Sequence, residues 1–454
     1  MDGAAAIGAT NLTRTLAERA CALTYDALPE PVRELARQCV LDYLGVGLAG
    51  ADDPLARILL DETSEAGGAE QAAVIGHRAR LPMTSAALAN GAIAHALDYD
   101  DVNLAMPGHP SVAILPALLA LAEARRASGK AVIAAFVAGY ETCCRVGMAL
   151  RPGHYTRGFH ATGTVGAFGA AAACAHLLGL DAETTARALG IAGTQSAGLK
   201  SQFGTMCKPF HAGKAAQNGL LAARLAARGF SSRADLIECT QGFAATHAPD
   251  FYPEKALAEP RRGFHIINNL FKYHAACYMT HAPIECGRQL RERLGAAPAD
   301  IAAVALKLHS ATDRVCNIPA PADGLEAKFS LRQTVAMALA GVDTASLGAY
   351  SVATATDPAL VGLRELVSLD FRDDFPEAGA EIEVRLTDGR TASATFDAGI
   401  PNPDIAGQGR RLAEKFDALA APVVGSARAR ELRETVAGLD ALADTGALPR
   451  LAAA

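Results

Sequence analysis

The chain has 454 residues and a formal charge of −6, with no basic concentration of the kind that holds nucleic acid or an anionic membrane surface. Half of its residues are hydrophobic, yet aromatic residues make up only 5% and tryptophan is absent. A large core is therefore available, built from Ala, Leu, Val and Gly, which suits closely packed helices in a chain long enough for two or three domains.

In chain order, the apolar periodicity predicts helices over 10–25 and 31–49. In the second, Val32, Leu35, Ala36, Cys39, Val40, Tyr43 and Leu44 fall on one face, and Pro31 marks the start. Residues 51–80 read as mixed, with a Gly- and Glu-rich loop near 65–70. Helices then recur at 83–97, 111–127, 130–148, 161–178, 182–197 and 214–228. The character changes near Phe271. Residues 301–309 alternate in strand fashion, and 381–396 read as a hairpin turning on Asp388-Gly389. One helix, 328–341, lies between them, and 342–370 gives no clear pattern. Helices return at 407–420 and 426–442. The expectation is a mainly α chain with a smaller α+β domain: residues 1–268 and 401–454 form an all-helical domain, and 269–400 an α+β lid.

No basic region followed by an apolar segment opens the chain, and the longest apolar runs are broken by Pro116 or by charges before membrane-spanning length. The ten cysteines form no Cys-x-x-Cys pair. They are expected to be free and mostly buried thiols in a cytoplasmic protein, not a zinc or disulfide framework.

Four stretches carry residue types suited to chemistry. In the first, Asp98, Asp100 and Asp101 precede a loop through Pro107 and Gly108 to His109, with Pro110 at the start of an apolar helix. A histidine beside carboxylates moves protons near neutrality, because its unperturbed pKa is about 6.5. The second runs from Arg157 to Thr164. There His160 enters a helix whose Gly163, Gly166 and Gly169 form a small-residue stripe, read either as close packing or as an anion site. The third places Lys208 before Pro209, with His211 and Lys214 following. A lysine drawn into a closed site pairs with a substrate carboxylate or serves as a base. The fourth, Lys272-Tyr273-His274 with Thr280-His281, lies where the helical domain gives way to the mixed one. No Gly-x-Ser-x-Gly elbow, His-Glu-x-x-His motif or calcium-loop spacing occurs. The reaction class that fits is acid–base work beside a carboxylate.

In their order, HALDYDD, GHPS, LPALLALAE, GFHATGTVGAFGAAAA, KPFHAGKAA, FKYHAACYMTHA, EAKFS and NPD with KF, these stretches resemble the MmgE/PrpD family over residues 10 to 420. That family includes 2-methylcitrate dehydratase and cis-aconitate decarboxylase. The resemblance implies a large helical domain with an α+β lid, a homodimer, and catalysis in an interdomain cleft without cofactor or metal. It implies a catalytic set of His109, Asp98, Lys208, Lys272 and His160. His109 is then the acid/base, Lys208, Lys272 and His160 bind carboxylates, and Asp98 orients the cluster. Thr162, His211, His274 and His281 stand in the same motifs as further substrate contacts. Two departures stand out: Val102 replaces a Thr after the paired acids, and Gln333 falls where the decarboxylase carries a Tyr near its cleft. The expected activity is a lyase on a di- or tricarboxylate, with proton transfer α to a carboxylate. Dehydration of a hydroxy-polycarboxylate comes first, with decarboxylation and epimerisation as alternatives. A non-catalytic carboxylate-binding protein is the reading from another class.

Overall fold

The computed structural model describes residues 11–295 and 297–453. The first residue of the helix expected over 10–25 lies outside them, as do the first ten residues of the expected helical domain. The chain divides into two compact units. One comprises the chain up to Phe271 together with Asn402 onward, and the other runs from Lys272 to Pro401.

The first unit is helical. Its central elements are Glu30–Ala49, Met83–His95, Pro110–Arg125, Gly129–Leu150, Ala161–Leu177 and Cys207–Ala226. The Ile405–Val424 helix packs along Glu30–Ala49, where a buried ion pair joins Lys415 Nζ to Asp42 Oδ1 at 2.6 Å. Small side chains let these helices approach closely. A Cβ on Gly213 would stand 2.2 Å from the carbonyl oxygen of Leu88, and one on Gly91 would stand 2.8 Å from the Cα of Gly213. Met83–His95 and Cys207–Ala226 therefore cross backbone to backbone. Gly166 likewise meets Ala113, and Gly169 meets Cys143, so the glycine stripe of Ala161–Leu177 serves helix packing.

Three sequence expectations change in this unit. Residues 51–80 contain the Pro54–Glu65 helix, which Asp53 caps by accepting from Leu55 N–H. The helix expected over 214–228 begins seven residues earlier, at Cys207, and so carries Lys208 and His211. Pro209 falls in its first turn, where a missing N–H leaves no helical bond unmade. Gly129–Leu150 is long and apolar enough to cross a bilayer, although its charges were expected to interrupt it. In that helix 89% of the most apolar window is buried in the protein. Its charges are accommodated internally: Arg145 donates to the carbonyls of Ala256 and Ala258, and Glu141 accepts from Ile266 N–H.

The second unit is α+β. Its sheet runs Val367–Arg372, Ile301–His309, Gly379–Leu386, Thr391–Asp397, with the first pair parallel and the others antiparallel. The hairpin turns at Gly389, whose φ of +89° is the left-handed geometry glycine tolerates. Val304, Leu306, Leu308, Ile382 and Val384 bury one face against His281–Leu294 and Leu331–Ala340. Val367–Arg372 was not legible in the sequence, because its inward residues alternate with Ser368, Asp370 and Arg372 at an exposed edge. Gln333 is wholly buried here. Its amide donates to the Thr354 carbonyl and accepts from Arg364 at 2.9 Å, so it serves this unit's interior.

Gly213→Ala should lower the unfolding free energy by about 1–3 kcal/mol, because the clash is with backbone and the helices must part. Urea denaturation of the two proteins checks this.

Candidate active site

Five segments of the helical unit converge on one cluster. His95 is the last residue of Met83–His95, and the chain then turns through Asp98, whose φ of 50° is left-handed. A non-glycine residue there carries strain of order 1 kcal/mol, and such strain gathers at functional sites. The turn reverses the chain so that Asp100 reaches back to His95. Asp100 Oδ1 accepts from His95 Nδ1 at 2.8 Å, with Oδ2 at 3.0 Å. Both side chains are buried.

Residues 103–108 form a closed loop, in which Asn103 N–H donates to the Gly108 carbonyl. His109 follows as the N-cap residue of Pro110–Arg125. Its backbone N–H donates to Thr162 Oγ1 at 3.1 Å, and that hydroxyl is wholly buried. Thr162 thus fixes the loop. The His109 ring lies edge-on to His95, with centroids 4.5 Å apart. Its Nδ1 is 3.0 Å from Asp100 Oδ2, an ionic contact that lies off the ring N–H direction and does not complete a hydrogen bond. Its Nε2 faces Asp98 Oδ1 at 3.5 Å.

Asp98 is itself paired with Lys208, whose Nζ lies 2.8 Å from Oδ1. Lys208 sits in the first turn of its helix, with its ammonium 5.3 Å from the Phe203 ring centroid. His211, one turn on, meets His160 Nδ1 to Nδ1 at 3.1 Å, so one of these nitrogens carries a hydrogen and the other accepts it. The His160 ring stacks near-parallel on His95 at 5.9 Å.

The electrostatics follow from burial and pairing. Burial pushes the His95 imidazole down to about 4, outweighing the pull of Asp100. Burial lowers His160 as well, helped by His95 and Lys208. Burial alone would raise the Asp100 carboxyl, but His109 and His95 together hold it well below the carboxylate range. Asp101 behaves oppositely: burial and the nearby Asp42 raise it to about 7, although Ser111 and Asn269 both donate to its Oδ2. Asn269 in turn accepts from Tyr140 OH, and Asn103 donates to that hydroxyl, which ties the loop to the helices beneath it.

The site thus brings together His109, Asp98, Lys208, His160 and His211 from the sequence-derived set. Lys272, His274 and His281 belong to the second unit. Lys272 is buried there. His274 uses both ring nitrogens internally, at 2.8 Å from Thr344 Oγ1 and 3.1 Å from Glu285 Oε1, and His281 packs between it and Tyr278. Two members were missed. His95 was read as part of a core helix, and Asp100, which accepts from it, was not singled out from its neighbours. The available signal was the five-residue separation of His95 from Asp100 across a helix end.

One ligand atom from each of His95, Asp98, Asp100 and His109 lies within 4.8 Å of the others, close enough to hold an ion. The donor set does not suit one. The Lys208 ammonium already occupies Asp98, and Asp100 already accepts from His95. A cation would have to displace a positive charge to enter.

Residues 14–255 match the MmgE/PrpD N-terminal domain, and residues 274–441 match the MmgE/PrpD C-terminal domain. The chain belongs to the MmgE/PrpD family. The second match runs from the α+β unit into the C-terminal helices, which fold with the first unit. Among curated relatives, the cis-aconitate decarboxylase of Aspergillus terreus strain NIH 2624 is 28% identical over 96% of this chain and 94% of its own length. The human cis-aconitate decarboxylase is 28% identical over 97% and 94%. The cis-aconitate decarboxylase-like protein oryM of Aspergillus oryzae is 32% identical over 62% of each chain.

Asp101 has a signature in stability. Its folded value of about 7 exceeds an ordinary unfolded carboxyl of about 3.9, so the folded chain holds a proton that the unfolded chain releases. That contribution is complete below about pH 4 and is lost as the pH rises through 7. Asp101→Asn removes the loss, so its stability relative to the parent should increase by roughly 2–4 kcal/mol between pH 4 and pH 8. Denaturation midpoints of both proteins across that range check the sign.

Proposed function

We propose that this protein is a lyase for a small di- or tricarboxylate, with His109 as the group that transfers the proton. The supporting observation is the setting of that imidazole. Nδ1 faces the buried Asp100 carboxylate, while Nε2 faces the Asp98–Lys208 pair at the place a substrate carboxylate would compete for. An imidazolium formed at 109 as the proton moves would lie against the Asp100 carboxylate. Lys208 supplies a positive charge for a substrate carboxylate. With Nδ1 of His160 engaged by His211, its Nε2 is the nitrogen left to donate to a second carboxylate oxygen.

The named relatives favour loss of carbon dioxide from a cis-aconitate-like acid. In that reading the bond to one carboxylate breaks and its electron pair moves into the adjoining conjugated system. Carbon dioxide leaves, and His109 delivers a proton to the resulting carbanion. Lys208 offsets the charge that builds during the step.

Dehydration is the second reading, and Val102 counts against a plain cis-aconitate decarboxylase. That residue is buried, its backbone pairs with Leu270, and it has no hydroxyl to offer where the family carries a Thr. A site that loses such a donor discriminates strongly against the acid that needed it. In dehydration His109 would remove the proton α to a carboxylate as hydroxide departs from the neighbouring carbon.

Incubation with cis-aconitate and with 2-methylcitrate separates the outcomes, by release of carbon dioxide in one case and by a new double bond absorbing near 240 nm in the other. On whichever acid is turned over, His109→Ala should cut kcat by about 100-fold or more with the fold retained. Unchanged turnover in that variant would exclude the assigned role.

A further inference from the structure

We propose that His95 is a positioning residue for His109, acting through the carboxylate of Asp100. The inference extends the reading of His109 as the proton-transferring group, but its test requires no substrate.

Asp100 is shared unequally. His95 Nδ1 makes the aligned bond, at 2.8 Å to Oδ1 and 3.0 Å to Oδ2. His109 Nδ1 approaches Oδ2 at 3.0 Å off its own N–H axis. The carboxylate is therefore oriented by His95, and the charge facing His109 stands where His95 holds it. His95 is well suited to this part. It is 1% exposed at the end of a helix pinned by the Gly91–Gly213 crossing, and burial keeps it neutral through the physiological range. A neutral imidazole donates a hydrogen bond to Asp100 without cancelling its charge. A lysine or arginine in its place would neutralise the carboxylate and remove the field that His109 feels.

Other groups face His109 as well. Asp98 lies 3.5 Å from Nε2, Lys208 stands beyond Asp98, and the imidazolium states of His95 and His160 would repel it. Of these, only His95 donates to Asp100. Without that donor, more of the carboxylate's potential falls on His109, which favours the imidazolium.

Two substitutions divide positioning from scaffolding. His95→Asn keeps an N–H close to the position of Nδ1, whereas His95→Phe keeps the ring and loses the donor. The readout is carbethoxylation of His109 by diethylpyrocarbonate, followed by peptide mass spectrometry across pH. Only the neutral ring reacts, so the midpoint reports where His109 gains its proton. His95→Phe should move that midpoint up by about one unit, and His95→Asn should return it to within a few tenths of the parent. Should His95→Phe fail to fold, His95→Leu, which also lacks the donor, carries the same expectation of an upward shift.

An unmoved midpoint in a folded donor-less variant overturns the proposal. So does an equal shift in His95→Asn and the donor-less variant. If the midpoints behave as expected but no acid is turned over, the function proposed above fails and this coupling stands.

Discussion

A carboxylate buried beside two imidazoles needs donors aimed at it before it can remain charged. Asp100 meets that requirement through the hydrogen bond from His95, with His109 adding an ionic contact, and the rest of the site follows from meeting it. The left-handed turn at Asp98 bends the chain so that Asp100 returns to His95. It also places the Asp98 carboxylate on the other side of His109, where it pairs with Lys208. One short segment thus supplies an anion at each ring nitrogen of a single histidine.

The helical packing makes this possible. Asp100 and His95 come from one helix end, His109 from the start of another, and Lys208 and His211 from the first turns of a third. These ends meet only because the helices lie close together, and Gly91 and Gly213 allow a separation that a single methyl group would prevent. The composition, rich in Ala and Gly and without tryptophan, is the chemical counterpart of that geometry. The same approach buries the polar groups and so sets their protonation. His95 and His160 are pushed toward neutral, and Asp101 is held toward its protonated form by burial and by Asp42. Three aspartates within four residues therefore do three different things. Asp98 pairs with an ammonium, Asp100 stays charged between imidazoles, and Asp101 anchors the loop through Ser111 and Asn269.

Much of the scaffold was legible without coordinates. Helices such as Glu30–Ala49 and Pro110–Arg125 announce themselves by apolar spacing and by a proline in the first turn. The hairpin was marked by Asp388-Gly389, whose glycine supplies the positive φ the turn requires. Val367–Arg372 was not marked, because an edge strand with alternating charge looks like a loop. The first turn of Cys207–Ala226 was hidden by Pro209, which reads as a breaker although it is tolerated at that position.

The sequence by itself determined the family, the mainly helical architecture, and the residue types available for chemistry, because periodicity, turn residues and motif order are local properties of the chain. It also supplied His109, Lys208 and His160 as candidates. Only the tertiary structure decided who partners whom. Asp100 pairs with His95, which joins the cluster, Asp98 pairs with Lys208, and the polar atoms of Thr162, His274 and Gln333 are bonded inside the fold. The physical reason is that a carboxylate or an imidazole acquires its role from the groups within a few ångströms and from the water it has lost. Neither is written in the spacing of residues along a chain.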